Sequence, residues 1–203
     1  MNSLQEQFGA IDIYLFDQIL RGHISRGMRV LDAGCGSGRN IVYFLKEGYE
    51  VFGADSDSRA IEEVRGLAAF FAPSLPGGNF RVEAIEAMTF GPAFADVVLS
   101  SAVLHFARGD DQFRAMLQGT WRSLKPGGLF FCRLASSIGI EQQIKHIEGR
   151  RFLLPDGSQR YLVDERLLEE FAQELGGLLV DPLKTTLVQN QRSMTTWVMR
   201  KGV

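Results

Sequence analysis

The chain has 203 residues, 45% of them hydrophobic and 23% charged, a composition that suits one domain with a substantial core. Its formal net charge of −2 predicts no general affinity for nucleic acid or anionic membranes. Because no signal-peptide pattern, membrane-length apolar run, disulfide framework or zinc-ligand spacing is present, we expect a cytoplasmic protein without a bound metal.

The first half of the chain alternates strands and helices. An amphipathic helix is predicted over 3–21, and the apolar run at 28–33 predicts a short buried strand. Three alternate glycines end that strand, and a helix is predicted from about Arg39. A second strand at 49–55 precedes a helix for which Asp57 is a suitable N-cap.

Three further strands are predicted at 80–85, 95–101 and 129–135. An amphipathic helix between the last two ends before Pro126. Alternation of this kind requires right-handed crossovers and a mainly parallel sheet.

The last third of the chain does not continue the alternation of strands and helices. A short helix near Glu141–Ile147 and a hairpin at 155–158 are predicted, and a helix capped by Asp164 follows. Strands at 178–188 and 193–200 are joined by a turn too short for a crossover, so they should run antiparallel.

These elements predict one doubly wound α/β domain over residues 1–203. Its mainly parallel sheet would have seven strands, with an antiparallel strand at the C-terminus. Residues 1–27 would form an N-terminal helical lid, and residues 136–163 a cap over the substrate, because both lie outside the sheet.

The stretch VLDAGCGSGRN, residues 30–40, runs from a strand through three alternate glycines. Glycine permits sharp turns and lets a ligand lie against bare main chain. No Gly-Lys-Ser/Thr follows, and Arg39 stands where the dinucleotide motif G-x-G-x-x-G needs its third glycine. The pattern therefore argues against a nucleoside triphosphate or nicotinamide site.

Two carboxylates accompany this turn. Asp32 comes two residues before the first glycine, where it would repel a pyrophosphate but suit an ammonium group. Asp55 ends the second strand, which in a doubly wound sheet places it beside the glycine turn and within reach of ribose hydroxyls. S-adenosylmethionine carries a ribose and an ammonium group and no phosphate, so it fits both carboxylates.

The chain closely resembles the class I S-adenosylmethionine-dependent methyltransferases. VLDAGCGSG is similar to their first motif, Asp55 to their second, DVVLSSAVLHF to their fourth strand and loop, and LKPGG to the turn before strand five. The segment Gly38-Arg39-Asn40 is also similar to tellurite- and thiopurine-type small-molecule methyltransferases. The resemblance covers roughly residues 28–135 and implies S-adenosylmethionine as cofactor, with S-adenosylhomocysteine as product.

The sequence departs from this family after strand three. The family often has an acidic residue there to hold the adenine amino group, and Ala84 stands at that position. Adenine recognition would then rest on the backbone N–H and apolar packing of Ile85, or on Glu86 in a shifted register.

Each candidate residue has a functional and a structural interpretation. The predicted cofactor-binding residues are Asp32, Gly34, Cys35, Gly36, Gly38, Asp55, Ser56, Ile85, Glu86 and Ser100. His105 is the candidate general base and also a candidate substrate residue, although a buried structural histidine would look the same. Tyr14 and Arg39 are further candidates for binding the substrate. The structural alternatives are that Tyr14 belongs to the core and that Arg39 is a solvent-exposed charge.

The predicted reaction is methyl transfer from S-adenosylmethionine to a small molecule by in-line displacement. No nucleic-acid partner is expected, because Ser-Ser-Ala-Val follows strand four in place of the Asn/Asp-Pro-Pro-aromatic motif that holds a flipped base. A binding protein without catalysis, or a methyltransferase acting on nucleic acid or protein, remains the alternative.

Overall fold

The computed structural model describes residues 4–203, so residue 3 of the predicted first helix and residues 1–3 of the predicted lid lie outside it. The helices are α1 (Leu4–Phe8), α2 (Ile13–Leu20), α3 (Val42–Lys46), α4 (Ser58–Phe71), α5 (Asp110–Ser123) and α6 (Glu165–Glu174). The strands are β1 (Arg29–Ala33), β2 (Glu50–Asp55), β3 (Phe80–Val82), β4 (Ala95–Ser101), β5 (Leu124–Ala135), β6 (Lys145–Glu148), β7 (Arg151–Leu153), β8 (Gln159–Tyr161), β9 (Gly177–Leu179), β10 (Lys184–Val188) and β11 (Arg192–Lys201).

The central sheet has the strand order β10-β11-β5-β4-β1-β2-β3. Strands β5, β4, β1, β2 and β3 are parallel, and β11 is antiparallel to β5. Successive residues of β4 join different apolar clusters on the two faces, Val97 on one and Val98 on the other. Burial on both faces is typical of a doubly wound sheet, and the predicted fold class is confirmed.

The sheet has eight strands where seven were predicted, because the predicted strand 178–188 is divided. Its two parts, β9 and β10, both pair antiparallel with β11. Pro182 lies between them and has no N–H to donate to β11. The predicted antiparallel C-terminal hairpin is confirmed, with β10 and β11 as its strands.

Several predicted boundaries are wrong. The predicted helix 3–21 is interrupted at Gly9, whose φ is +64°, and resumes only after Asp12 caps α2. The helix expected from Arg39 begins at Val42, after a series of turns. The strand predicted over 80–85 ends at Val82 and gives way to a short 3₁₀ turn.

The predicted cap 136–163 contains a small antiparallel sheet, β6-β7-β8. The short helix predicted near Glu141–Ile147 is wrong, because these residues form a turn followed by β6. Leu154 and Leu162 pack with Ala135 of β5 and Met194 of β11, which attaches the small sheet to the ends of two central strands.

In the part of the chain described here, no helix combines the length and the apolar character that a membrane span requires.

Candidate active site

A cavity of about 710 Å³ opens at the carboxyl ends of β1, β2 and β4. It lies where the strand order reverses, between β1 and β4, which is where doubly wound sheets bind ligands. Its lining residues come from the glycine turn, the end of β2, the turn after β3, the loop after β4 and the helix α5: Gly34, Cys35, Gly36, Ser37, Arg39, Asn40, Asp55, Ser56, Ala84, Ile85, Glu86, Ser101, Ala102, Val103, Phe106, Arg108, Gln112 and Met116.

The glycine turn forms one wall of this cofactor cavity. Gly34 has φ +87° and donates its N–H to Ala54 O at 2.8 Å, so the turn is held against the end of β2. A Cβ on Gly34 would lie 2.3 Å from Cγ2 of Val103, whereas one on Gly36 would meet no atom within 4 Å. The first glycine is therefore required by packing, and the second leaves main chain open to the cavity.

Asp55 also stabilises that turn. Its Oδ2 accepts the Gly36 N–H at 2.9 Å, and its Oδ1 accepts the Asp57 N–H at 2.9 Å. Each carboxylate oxygen has a second lone pair, so hydroxyl groups can still bind. Asp57 caps α4 through Arg59 N, as the sequence predicted.

Asp32 is 2% exposed and does not line the cavity directly. Its Oδ1 is buried and has no hydrogen-bond partner among the described residues. Burial raises the pKa of this carboxyl to about 7, with Arg39 opposing the rise and Asp55 adding to it. Such an oxygen fits a cationic ligand group, because an ammonium would supply the missing donor.

Only some of the remaining predicted cofactor residues line the cavity. Gly38 does not, because its α-carbon faces Val64 and Leu67 of α4. Cys35 and Ser56 line the cavity, and burial raises the pKa of the Cys35 thiol, so it is neutral. Ser100 is fully buried and does not line the cavity. Its neighbour Ser101 lines the cavity instead, because successive side chains of a strand point to opposite faces.

The far end of the cavity combines the turn after β3 with α5. Ile85 and Glu86 both line it, and Glu86 Oε1 accepts a hydrogen bond from Gln112 Nε2 at 2.8 Å. A Cβ on Gly119 would lie 2.5 Å from Ile85 O, so this glycine lets α5 approach the turn closely. Sequence reasoning missed Gln112 and Met116, because no local pattern relates α5 to the turn after β3.

A second cavity of about 420 Å³ adjoins the first. The two share Arg39, Ala102 and Phe106 as lining residues. Ala102 has φ +64°, which costs energy for a residue with a Cβ and is concentrated at functional sites. The rest of its wall comes from the loop after β4, β5, the hairpin β7–β8 and the hairpin β10–β11: His105, Arg133, Ala135, Leu154, Asp156, Ser158, Arg160, Val188, Arg192 and Met194.

His105 lines this second cavity and is 5% exposed. Its Nδ1 accepts the Ala135 N–H at 3.0 Å. Burial lowers the pKa of the ring to about 4, and the charge of Arg160 adds to the effect. The neutral ring therefore carries its proton on Nε2, and its free lone pair is already used, which favours the structural interpretation over a general base.

Asp12 connects the N-terminal segment to both cavities. Its Oδ2 lies 3.1 Å from Arg133 Nη1 and 3.9 Å from Arg39 Nη2. Its N–H donates to Asn40 Oδ1 at 3.0 Å. Sequence reasoning missed Asp12 and Arg133, which lie 121 positions apart.

Tyr14 lines neither cavity. Its hydroxyl lies 2.6 Å from Thr186 Oγ1, and the Arg133 guanidinium lies 5.4 Å from the centre of its ring. The predicted substrate residue thus supports Arg133 and the C-terminal hairpin. Arg39, the other substrate candidate, lines both cavities.

S-adenosylmethionine fits the first cavity on three observations. These are the open main chain at Gly36, the carboxylate of Asp55 and the volume of the cavity. The buried, unpartnered oxygen of Asp32, which precedes the glycine turn, is a further candidate partner for the ammonium group. Within residues 4–203, no three His, Cys, Asp or Glu side chains are grouped so that they could hold a metal ion.

Comparison with known proteins places the chain in a family. A family model described as a methyltransferase domain matches residues 31–132. The ubiquinone biosynthesis O-methyltransferase of Brucella anthropi is 30% identical over 169 residues, which cover 79% of this chain and 64% of that protein. A Synechocystis protein named as an uncharacterized methyltransferase is 34% identical over 107 residues, covering 53% of this chain and 47% of that one.

The chain thus spans about half to two thirds of the length of these relatives. Among solved structures, the Burkholderia thailandensis 1,6-didemethyltoxoflavin-N1-methyltransferase has a TM-score of 0.73 and 22% identity, covering 97% of this chain and 80% of that one. At that identity the likeness concerns the fold. That structure contains 1,6-didemethyltoxoflavin and S-adenosylhomocysteine.

Proposed function

Because the chain belongs to the class I S-adenosylmethionine-dependent methyltransferase family, we propose that it transfers a methyl group from this cofactor to a small molecule in the second cavity. The observation that carries the proposal is the shared boundary of the two cavities. Arg39, Ala102 and Phe106 line both, so a ligand in one meets a ligand in the other.

The first cavity would hold the cofactor through its polar groups. Asp32 would accept the ammonium group, and Asp55 would accept the ribose hydroxyls while keeping its bonds to the turn. Ile85 and Met116 would pack against the adenine, and Glu86 would be the acceptor for its amino group. For the adenine, this proposal combines the two alternatives that the sequence left open, Ile85 and Glu86, and adds Met116, which lines the same cavity.

When bound, S-adenosylmethionine supplies an electrophilic sulfonium methyl, which the acceptor's lone pair takes while the carbon–sulfur electrons return to sulfur. The chain's contribution is to align the acceptor and exclude water, and good alignment is worth roughly 7–11 kcal/mol in favourable cases. Phe106 and Ala102 line both cavities, so they would form the boundary between cofactor and acceptor.

We propose that His105 positions the acceptor as a hydrogen-bond donor. Its Nδ1 is occupied by Ala135 N–H, so Nε2–H is the group available to a ligand. An acceptor that is already an amine, a thiolate or another anion needs no protein base. Accordingly, His105→Gln, which keeps an N–H donor, should retain more activity than His105→Ala.

A small acceptor agrees with two similar proteins, the ubiquinone biosynthesis O-methyltransferase and the 1,6-didemethyltoxoflavin-N1-methyltransferase. The size of the second cavity, about 420 Å³, favours the same class. A cofactor-binding protein without catalysis, and a methyltransferase of nucleic acid or protein, remain the competing functions.

The direct test is a methyl-transfer assay with labelled S-adenosylmethionine. Thiols, amines, phenols, carboxylates and chalcogen oxyanions would be screened beside tRNA, DNA and peptide pools. We expect transfer to one small-molecule class, inhibited by S-adenosylhomocysteine. Transfer confined to a polymer pool, or cofactor binding with no transfer to any acceptor, would show the proposal to be wrong.

A further inference from the structure

The second cavity is strongly cationic. Four arginines line it, at positions 39, 133, 160 and 192, and Asp156 is the one carboxylate among its lining residues. The chain as a whole has a formal net charge of −2, so positive charge is concentrated here against the average. Converging guanidinium groups are the usual means by which proteins bind carboxylate, sulfonate and phosphate groups.

Three of these arginines have carboxylate neighbours. Arg39 and Arg133 share Asp12, and Arg192 Nε lies 3.8 Å from Asp156 Oδ2. The Nε of Arg133 is buried and has no partner among the described residues. Its Nη1 is paired with Asp12, so Nε is the donor of this guanidinium that lacks a partner.

Arg160 differs from the other three. Its Nη1 donates to Gln159 O at 2.7 Å, and among residues 4–203 it forms no ion pair, although its charge acts on the nearby Asp156 carboxylate. The half-buried guanidinium lies 4.7 Å from the centre of the Phe106 ring, at the boundary of the two cavities. A cation held against an aromatic face, and not in contact with a carboxylate, is suited to bind an anion.

His105 adds a donor without adding a charge. The ring lines the same cavity, and its proton lies on Nε2 because Nδ1 accepts the Ala135 N–H. It tilts against Phe106 at a centroid distance of 4.6 Å, on the ring that also carries Arg160. Arg160 and His105 therefore both lie against Phe106 on the wall of one cavity.

Part of the remaining wall is apolar. Leu154, Val188 and Met194 line the cavity, together with Ala135 and the polar Ser158. An inorganic oxyanion would leave these side chains without a contact. An organic molecule would bury apolar surface against them and gain affinity.

On the premise of the methyl transfer proposed above, we propose that the acceptor is a small organic anion. Its anionic group binds the guanidinium of Arg160, with Arg133 and His105 as further donors. Its apolar body packs against Leu154 and Met194, and its nucleophilic atom faces the cofactor across Ala102.

Calorimetry in saturating S-adenosylhomocysteine tests this without requiring turnover. The probes are benzoate, benzenesulfonate and phenyl phosphate, with benzamide as the neutral analogue and inorganic phosphate as the anion without an apolar body. We expect at least one organic anion to bind, with benzamide and inorganic phosphate at least about tenfold weaker. The three anions distinguish which acidic group the site prefers.

Arg160→Gln should weaken binding of that anion about tenfold or more, as expected for loss of a charge-assisted hydrogen bond. Its affinity for S-adenosylhomocysteine and its thermal midpoint should be unchanged, which excludes misfolding. Arg151→Gln is the matched control, because Arg151 lies on the same small sheet, bonds to Gln159 and does not line the cavity.

Failure of all three organic anions to bind would overturn the inference. Equal binding of benzamide or inorganic phosphate, or an Arg160→Gln variant with unchanged anion affinity, would overturn it as well. Failure of the proposed function is a separate result, since it would be seen as absence of methyl transfer or of S-adenosylhomocysteine binding.

Discussion

Among single residues, Asp32 has the ionisation that most affects ligand binding. Its pKa is raised to about 7 by burial, so the carboxyl is largely protonated at pH 6 and largely ionised at pH 8. Only the ionised form pairs with an ammonium group. The affinity for S-adenosylhomocysteine should therefore rise roughly tenfold from pH 6 to pH 8, and calorimetry at both values measures it. In Asp32→Asn this dependence should disappear, and its persistence would contradict the assignment.

The raised pKa of Asp32 also predicts how the stability of the unliganded protein depends on pH. A carboxyl whose pKa is higher in the folded state favours folding below its unfolded pKa of about 3.8, and this stability is lost as pH rises through about 7. Asp32→Asn, which is neutral and nearly the same shape, should therefore unfold at a higher urea concentration than the parent at pH 8. Equal urea midpoints for the two proteins at pH 8 would show that the buried charge of Asp32 does not lower the free energy of unfolding.

Asp55 has both a predicted ligand role and an observed structural one. Asp55→Ala would remove acceptors for ribose hydroxyls and for the Gly36 and Asp57 N–H groups. We expect about tenfold or greater loss of cofactor affinity, together with a destabilisation of about 1–3 kcal/mol. Calorimetry and urea unfolding separate the two effects. Unchanged cofactor affinity in a destabilised variant would show that Asp55 has only the structural role.

At the scale of elements, Asp12 joins the N-terminal segment to a strand of the sheet. Asp12 caps α2 through Tyr14 N and pairs with Arg133 of β5. Asp12→Ala should cost on the order of 3 kcal/mol, because it removes a cap and leaves a largely buried guanidinium without its partner. Urea unfolding measures this loss.

Asp57→Ala is the matched control for Asp12. Asp57 also caps a helix, α4, but its side chain is about half exposed and its nearest cation, Arg59, is 87% exposed. We expect about 1 kcal/mol from loss of that cap. If Asp12→Ala costs no more than Asp57→Ala, the connection to Arg133 contributes nothing to stability.

For the whole molecule, binding to the folded state predicts the response to cofactors. S-adenosylmethionine or S-adenosylhomocysteine at about 100 times its Kd should stabilise the fold by about 2.7 kcal/mol. For a chain of this size that corresponds to a rise in Tm of about 5–10 °C. NAD and ATP should have little effect, since the glycine turn lacks their motifs. A rise with NAD and none with S-adenosylmethionine would contradict the cofactor assignment.

The sequence by itself determined the features that depend on near neighbours. The alternation of strands and helices predicted the parallel sheet, and Asp32, the three glycines and Asp55 predicted the cofactor. The resemblance of VLDAGCGSG, DVVLSSAVLHF and LKPGG to known motifs indicated the family. These signals are local, because a strand's burial and a glycine's backbone freedom depend on residues close in the chain. Where one residue interrupts a pattern, as Gly9 and Pro182 do, the predicted element was too long.

Only the tertiary structure decided the second cavity and the protonation of its histidine. Arg39, Arg133, Arg160 and Arg192 lie on different segments, and no spacing along the chain relates them. The role of His105 depends on the Ala135 N–H, 30 positions away, which takes the lone pair that a base would need. Contacts between distant segments follow from how the elements pack, so acceptor recognition could not be read from the order of residues.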